Sequence, residues 1–260
     1  MSEQRQVRHA DRRSPIRQAV PTRRSSSGPG DRIANAGEIA TYFREDCRTL
    51  RDSLQLEMVA AQYHLRFRDL LSPEEVPVGE AVAAGVVAEL ERHGDQLSHA
   101  ILRALAYLGT DGMAERSAHA AARLSDRGVG LPVRFGDVAG ARALGAWRES
   151  GRGFTGEYAF FIDFEYGLGV RHALALFVEP RSGGVIKHIG LMQPMTELDS
   201  DDPFHPSALD PIEIVDAGAL LGKLLDRSFG SRAARTDDYR ILIASARARS
   251  MGQERAAAAS

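Results

Sequence analysis

Cysteine is nearly absent: Cys47 stands alone in 260 residues. A disulfide needs two thiols, so none forms within the chain, and a lone thiol fits a reducing compartment. Lysine is almost as scarce, with only Lys187 and Lys223 beside a large excess of arginine. Together with abundant alanine and glycine, this is the coding bias of a GC-rich bacterial genome rather than a chemical signal. No apolar run approaches the roughly 18 residues that a membrane-spanning helix needs. Residues 1–30 are polar and proline-punctuated, without the apolar centre of a signal peptide. The expectation is a cytoplasmic protein that does not use a membrane. An excess of one charge is also missing, since the net charge is -2. That excludes a molecule that is a polyanion binder over its whole surface.

Reaction motifs are absent as well. The chain has no Gly-x-Ser-x-Gly and no His-Glu-x-x-His. Gly167-Leu168-Gly169 and Ser182-Gly183-Gly184 are turn glycines that open no helix, so they bring no nucleotide site. The aspartates at 199–210 lack the spacing of a calcium loop. His93 and His99 are six apart, which suits no single-face metal pair on one helix, and His64, His119 and His205 are isolated. No cofactor and no metal are expected.

What remains is a globular composition, 43% hydrophobic and 26% charged. A chain of this length makes one large domain or two small ones. Its first 32 residues form an arm, with Arg5, Arg8, Arg12, Arg13, Arg17, Arg23, Arg24 and Arg32 against Glu3, Asp11 and Asp31. Few apolar residues are present to offset the entropy of ordering, so disorder is expected there. Such an arm is either a solvated leader or an electrostatic contact for nucleic acid or an acidic partner.

Beyond it, Ile39, Phe43, Cys47, Leu50, Leu54, Met58, Ala61 and Leu65 recur every three or four residues. This period predicts one long helix from about 37 to Ser72-Pro73. Further helices are expected at Gly79–His93, from the cap Asp95 to Leu108, and at Met113–Arg127, with turns at Gly109–Gly112 and Gly128. The helical subdomain spans 33–128. The period then changes to two. Ala143–Arg148, Glu157–Tyr166, Val170–Glu179 and Val185–Gln193 read as strands joined by short turns, an antiparallel meander. An acidic loop is expected at 196–211. One helix follows Asp216 as its cap and another follows Thr236, completing a sheet-plus-helix region over 129–250, with a frayed tail at 251–260. The fold class is α+β: a helical N-terminal half, a small antiparallel sheet, and two C-terminal helices.

Certain stretches resemble a known group. They are Ile101-Leu102-Arg103-Ala104-Leu105-Ala106-Tyr107-Leu108-Gly109, Gly128-Val129, Trp147-Arg148, His172-Ala173-Leu174-Ala175-Leu176-Phe177-Val178, and Gly183-Gly184 with Lys187. Over about 55–195 the chain resembles functionally uncharacterised actinobacterial proteins with helices before a short antiparallel sheet. The resemblance implies the same layout and a cytoplasmic setting, and it brings no activity.

The one constellation with chemical interest is on the sheet. Alternation places Asp163 and Glu165 on one face, with Ile162, Phe164 and Tyr166 on the other. A two-residue turn at Leu168-Gly169 sets Glu165 opposite His172, with Asp163 diagonal to it, and neighbours across strands sit roughly 5 Å apart. Carboxylates beside a histidine suit general acid/base work or a metal. Lys187 and His188 on the next strand add a cation and a further ligand. The competing explanation is the wet face of an ordinary sheet. Two functional expectations follow. One is a protein-interaction or regulatory module, binding a protein partner or a second copy, whose basic arm gives weak, non-specific nucleic-acid contact. The other is a metal-binding protein or hydrolase-like enzyme built on Asp163, Glu165, His172, Lys187 and His188.

Overall fold

The computed structural model describes residues 35–69, 76–109, 112–149, 157–180, 184–228 and 237–258. The arginine-rich arm at 1–32 and the turns at 110–111 and 181–183 lie outside the described residues.

Helix α1 (Ala36–Arg48) begins on a capping box, in which Asn35 accepts from the Glu38 N–H and Glu38 reaches back to the Asn35 N–H. The expected single long helix is in fact two. α1 stops at Thr49, and α2 (Ser53–Asp69) starts after Asp52, whose carboxylate accepts from the Gln55 N–H at 2.9 Å. Asp52 offers the backbone a local partner that competes with continuing the first helix, and the chain folds back there. The two helices meet again beyond the break, where the Phe43 and Tyr63 rings stack at 4.0 Å.

α3 (Val76–His93) and α4 (Gln96–Leu108) are separated by Gly94, whose positive φ of 63° suits glycine. Asp95 caps α4, accepting from the Ser98 N–H while pairing with both terminal nitrogens of Arg44 at 2.7 Å. α5 (Gly112–Asp126) ends at Gly128, where the Val129 N–H bonds back to the Leu124 carbonyl.

The sheet has five antiparallel strands in the order β4-β3-β2-β1-β5: β1 (Arg142–Arg148), β2 (Tyr158–Glu165), β3 (Arg171–Glu179), β4 (Val185–Met192) and β5 (Asp210–Ile212). β5 falls at the end of the stretch expected to be loop only. It pairs with β1, with Ala146 facing Ile212, and Pro211 is tolerated because this is an edge strand. α6 (Ile214–Ser228) starts earlier than expected, so Asp216 lies in its first turn rather than at its cap. α7 (Asp237–Ala258) continues into the stretch read as a frayed tail, through good helix formers such as Gln253, Glu254, Arg255 and the alanines.

The α+β layout is therefore as the sequence implies: helices, a central antiparallel sheet, then two helices. One sheet face carries Phe160, Ile162, Phe164, Leu174, Leu176 and Val178 against α6 and α7. The other carries Ala159, Phe161, Ala173 and Ala175 beneath Met195, Leu198 and Leu209. α7 joins the two regions. Its Ile241, Leu242 and Ala248 enter the core of α1–α5, while Tyr239, Ile243 and Ala246 enter the core under the sheet.

Candidate functional site

The hairpin between β2 and β3 decides which residues meet. Its loop is Gly167-Leu168-Gly169, closed by the Tyr166 N–H to the Val170 carbonyl at 2.9 Å. Phe164 therefore faces His172, and Glu165 faces Arg171. The expected pairing of Glu165 with His172 is off by one residue, and a one-residue slip moves a side chain to the other face. His172 lies on the core face, and Asp163 and Glu165 lie on the opposite one.

Each sequence candidate has its own partners. Asp163 is buried and accepts from the Met195 N–H at 2.9 Å; burial raises its pKa, against which the Met195 and Thr196 backbone N–H groups pull down. It anchors the segment that covers its face. Glu165 is held by Arg142 at 2.6 Å and Arg171 at 2.8 Å, and both guanidinium groups lower its pKa. Lys187 is the extra residue of a β4 bulge, since Phe177 faces His188 while Val178 faces Ile186. It pairs with Glu157 and, at 3.4 Å, Glu179, and its pKa is raised chiefly by the Glu157 hydrogen bond. His188 is exposed. The five candidates do not converge. Among the described residues, no three His, Cys, Asp or Glu side chains are placed to hold a metal ion.

What does converge is a cluster that sequence reasoning passed over. Glu57 of α2, Tyr166 at the end of β2, His172 of β3, and Ser245 and Arg249 of α7 are all buried, and Glu57 is 0% exposed. Arg249 Nε and Nη2 donate to Glu57 Oε1 at 3.2 and 3.1 Å. Ser245 Oγ donates to the same oxygen, and the Tyr166 hydroxyl donates to Glu57 Oε2. Arg249 Nη2 also donates to the Tyr166 hydroxyl at 2.8 Å, and Nη1 points at His172 Nε2 at 2.7 Å. The guanidinium carbon lies 4.8 Å from the Phe164 ring centre, which adds a cation–π contact. Every partner of the carboxylate is a donor, so its charge is met.

The protonation states follow from this geometry. Burial opposes the charge on Arg249, but attraction to Glu57 outweighs it and raises the pKa. Burial holds Tyr166 well above the ordinary phenol range. Burial and then Arg249 hold His172 well below the ordinary imidazole range, so the ring is neutral. Because Arg249 can only donate, His172 Nε2 accepts and its proton sits on Nδ1. That Nδ1 is buried and has no hydrogen-bond partner among the described residues. Elsewhere Cys47 is a buried thiol whose pKa burial pushes up, which suits a packing residue rather than a nucleophile.

No helix among the described residues is long and apolar enough to cross a membrane. Compared with protein-family models, curated proteins and solved structures, the chain matches none.

Proposed function

We propose that the chain is a protein-interaction or regulatory module acting in the cytoplasm, and that the tip of the β2–β3 hairpin contacts its partner. One observation carries this reading. Leu168 sits at φ 70° and ψ 15°, the left-handed region, and is 64% exposed. A leucine there costs about 1–2 kcal/mol relative to right-handed backbone, and glycine would cost far less. Its side chain adds little to the core, so the fold has no use for leucine at that point. Strained, exposed apolar residues are retained where something binds them. The neighbouring turn extends the surface. A Cβ added to Gly136 would lie 3.7 Å from Leu168 Cγ, and three residues before Gly136 stands Val133, 87% exposed. Arg134 follows Val133, exposed and with its guanidinium 4.6 Å from the Phe135 ring centre.

In this reading the basic arm adds electrostatic reach and sequence-independent contact with nucleic acid, which salt weakens. The alternative, a metal-binding protein or hydrolase-like enzyme on the sheet, requires His172 on the face of Asp163 and Glu165. The register sets it on the other.

The test is Leu168→Gly. Native mass spectrometry of the chain purified gently from its own cell gives the bound partner, and the variant is then titrated against that partner. The variant is expected to gain about 1 kcal/mol of stability from relieved strain while binding at least tenfold more weakly. An unchanged affinity would remove the tip from the interface.

A further inference from the structure

α7 packs against α2, α4 and α6 and against strands β1 and β4. Its apolar side chains are shared between two cores. Its polar fastenings are Tyr239 to the Ile186 carbonyl, Arg247 to Asp226, Ser250 to the Gly218 carbonyl and, in the buried cluster, Ser245 and Arg249; Arg249 stays cationic at any pH of interest. Of its hydrogen bonds, those to Glu57 and Tyr166 tie α7 to α2 and to the end of β2. The bond to His172 ties it to β3, and this one depends on an unprotonated nitrogen.

A second proton on His172 would go to Nε2. It would set an N–H against an N–H across 2.7 Å, and a positive ring against a guanidinium, with both groups out of water. Nothing nearby offsets that. From β2, Phe164 and the neutral phenol of Tyr166 face the ring, stacked at 6.0 and 5.4 Å. From α7 come Arg249 itself and Ser245, whose hydroxyl is committed to Glu57. From α4, Tyr107 lies near Arg249 and Tyr166 and carries no charge to help. The cluster's carboxylate, Glu57 on α2, stands behind Arg249 and is already bonded to Arg249, Ser245 and Tyr166.

We infer that His172 is a proton-operated latch on α7: in mild acid the imidazole takes up a proton whenever the helix lifts, which keeps Arg249 unseated and holds the helix released from α2 and the sheet. Release uncovers Tyr239, Ile241, Leu242, Ile243, Ala246 and Ala248, an apolar surface shut away while the latch is closed. The device rests on the buried cluster and not on Leu168, so it stands or falls separately from the reading of the hairpin tip.

The sign follows from linkage. His172 has a depressed pKa in the closed state and an ordinary one, about 6.5, once released. The closed state therefore has its full advantage above pH 6.5 and loses it as pH falls below that value. Between pH 7.5 and pH 5 the open population should rise, by up to about thirtyfold.

Hydrogen exchange of the full chain at those two pH values, corrected for intrinsic rates, measures this. α7 peptides should lose protection by about that factor while α5 (Gly112–Asp126) keeps its own. His172→Gln, neutral throughout and able to accept from Arg249, should abolish the response. Equal α7 protection at both pH values, loss of α5 in step with α7, or an undiminished response in His172→Gln would each overturn the latch. Should that variant fail to fold, ¹⁵N NMR of wild-type imidazoles decides. A His172 ring still neutral at pH 5 while α7 loses protection supports the latch, because the closed state excludes the proton, and a ring that titrates at the ordinary value of about 6.5 overturns it.

Discussion

Glu57 carries a negative charge where none of its side chain reaches water, and it is tolerable only because its partners are donors. Removing one member of such a pair leaves the other buried and uncompensated, at about 3–5 kcal/mol. Glu57→Gln and Arg249→Met should each lose that much in denaturant melts. The double variant Glu57→Leu/Arg249→Met should recover most of it, because an apolar pair of similar volume often replaces a buried ion pair at little cost. A double variant as weak as the sum of the singles would mean that the site cannot repack. In the sequence, Glu57 stands between Leu56 and Met58 within a buried stretch, which is a visible anomaly. Its partner is not visible, because Arg249 is 192 residues away and only tertiary structure joins them. The side assigned to His172 failed for a narrower reason. Two glycines flank Leu168, and a loop of two residues or three satisfies the same local pattern while reversing the face.

The strands were legible as elements because β2 and β3 are short apolar runs bounded by glycine, proline or charge. β5 was not, since three residues including Pro211 give no period to read, and its existence depends on the free edge of β1. The split between α1 and α2 was hidden by the stripe itself, which continues in register through the bend. β1 offers an element-level test. The Trp147 ring lies over Gly145, and a Cβ there would come within 2.5 Å of Trp147 Cη2. Gly145→Ala should push the ring aside, at about 1–3 kcal/mol for overpacking. Trp147 is the only tryptophan in the chain, so its fluorescence reports the shift directly. An unmoved emission maximum with unchanged stability would show that the strand yields instead.

Over the whole molecule, the helical bundle and the sheet are not two independent bodies, because α7 serves as a wall of both cores. Sequence placed the start of α7 correctly but ended it too early, and could not say which core it completes, since both its faces are apolar. A chain ending at residue 236 should therefore give a loosened bundle: α5 would keep its packing on α3 and α4, while the uncovered seat of α7 binds a hydrophobic dye and the melt broadens. A sharp melt from that fragment would show the bundle to be self-sufficient. The same dependence sets a clock on biosynthesis. With 192 residues between Glu57 and Arg249, translation at 5–20 residues per second separates them by roughly 10–40 s. Throughout that interval the nascent bundle presents an unmet carboxylate in an open apolar seat. The newborn chain thus keeps that seat exposed until its last helix arrives.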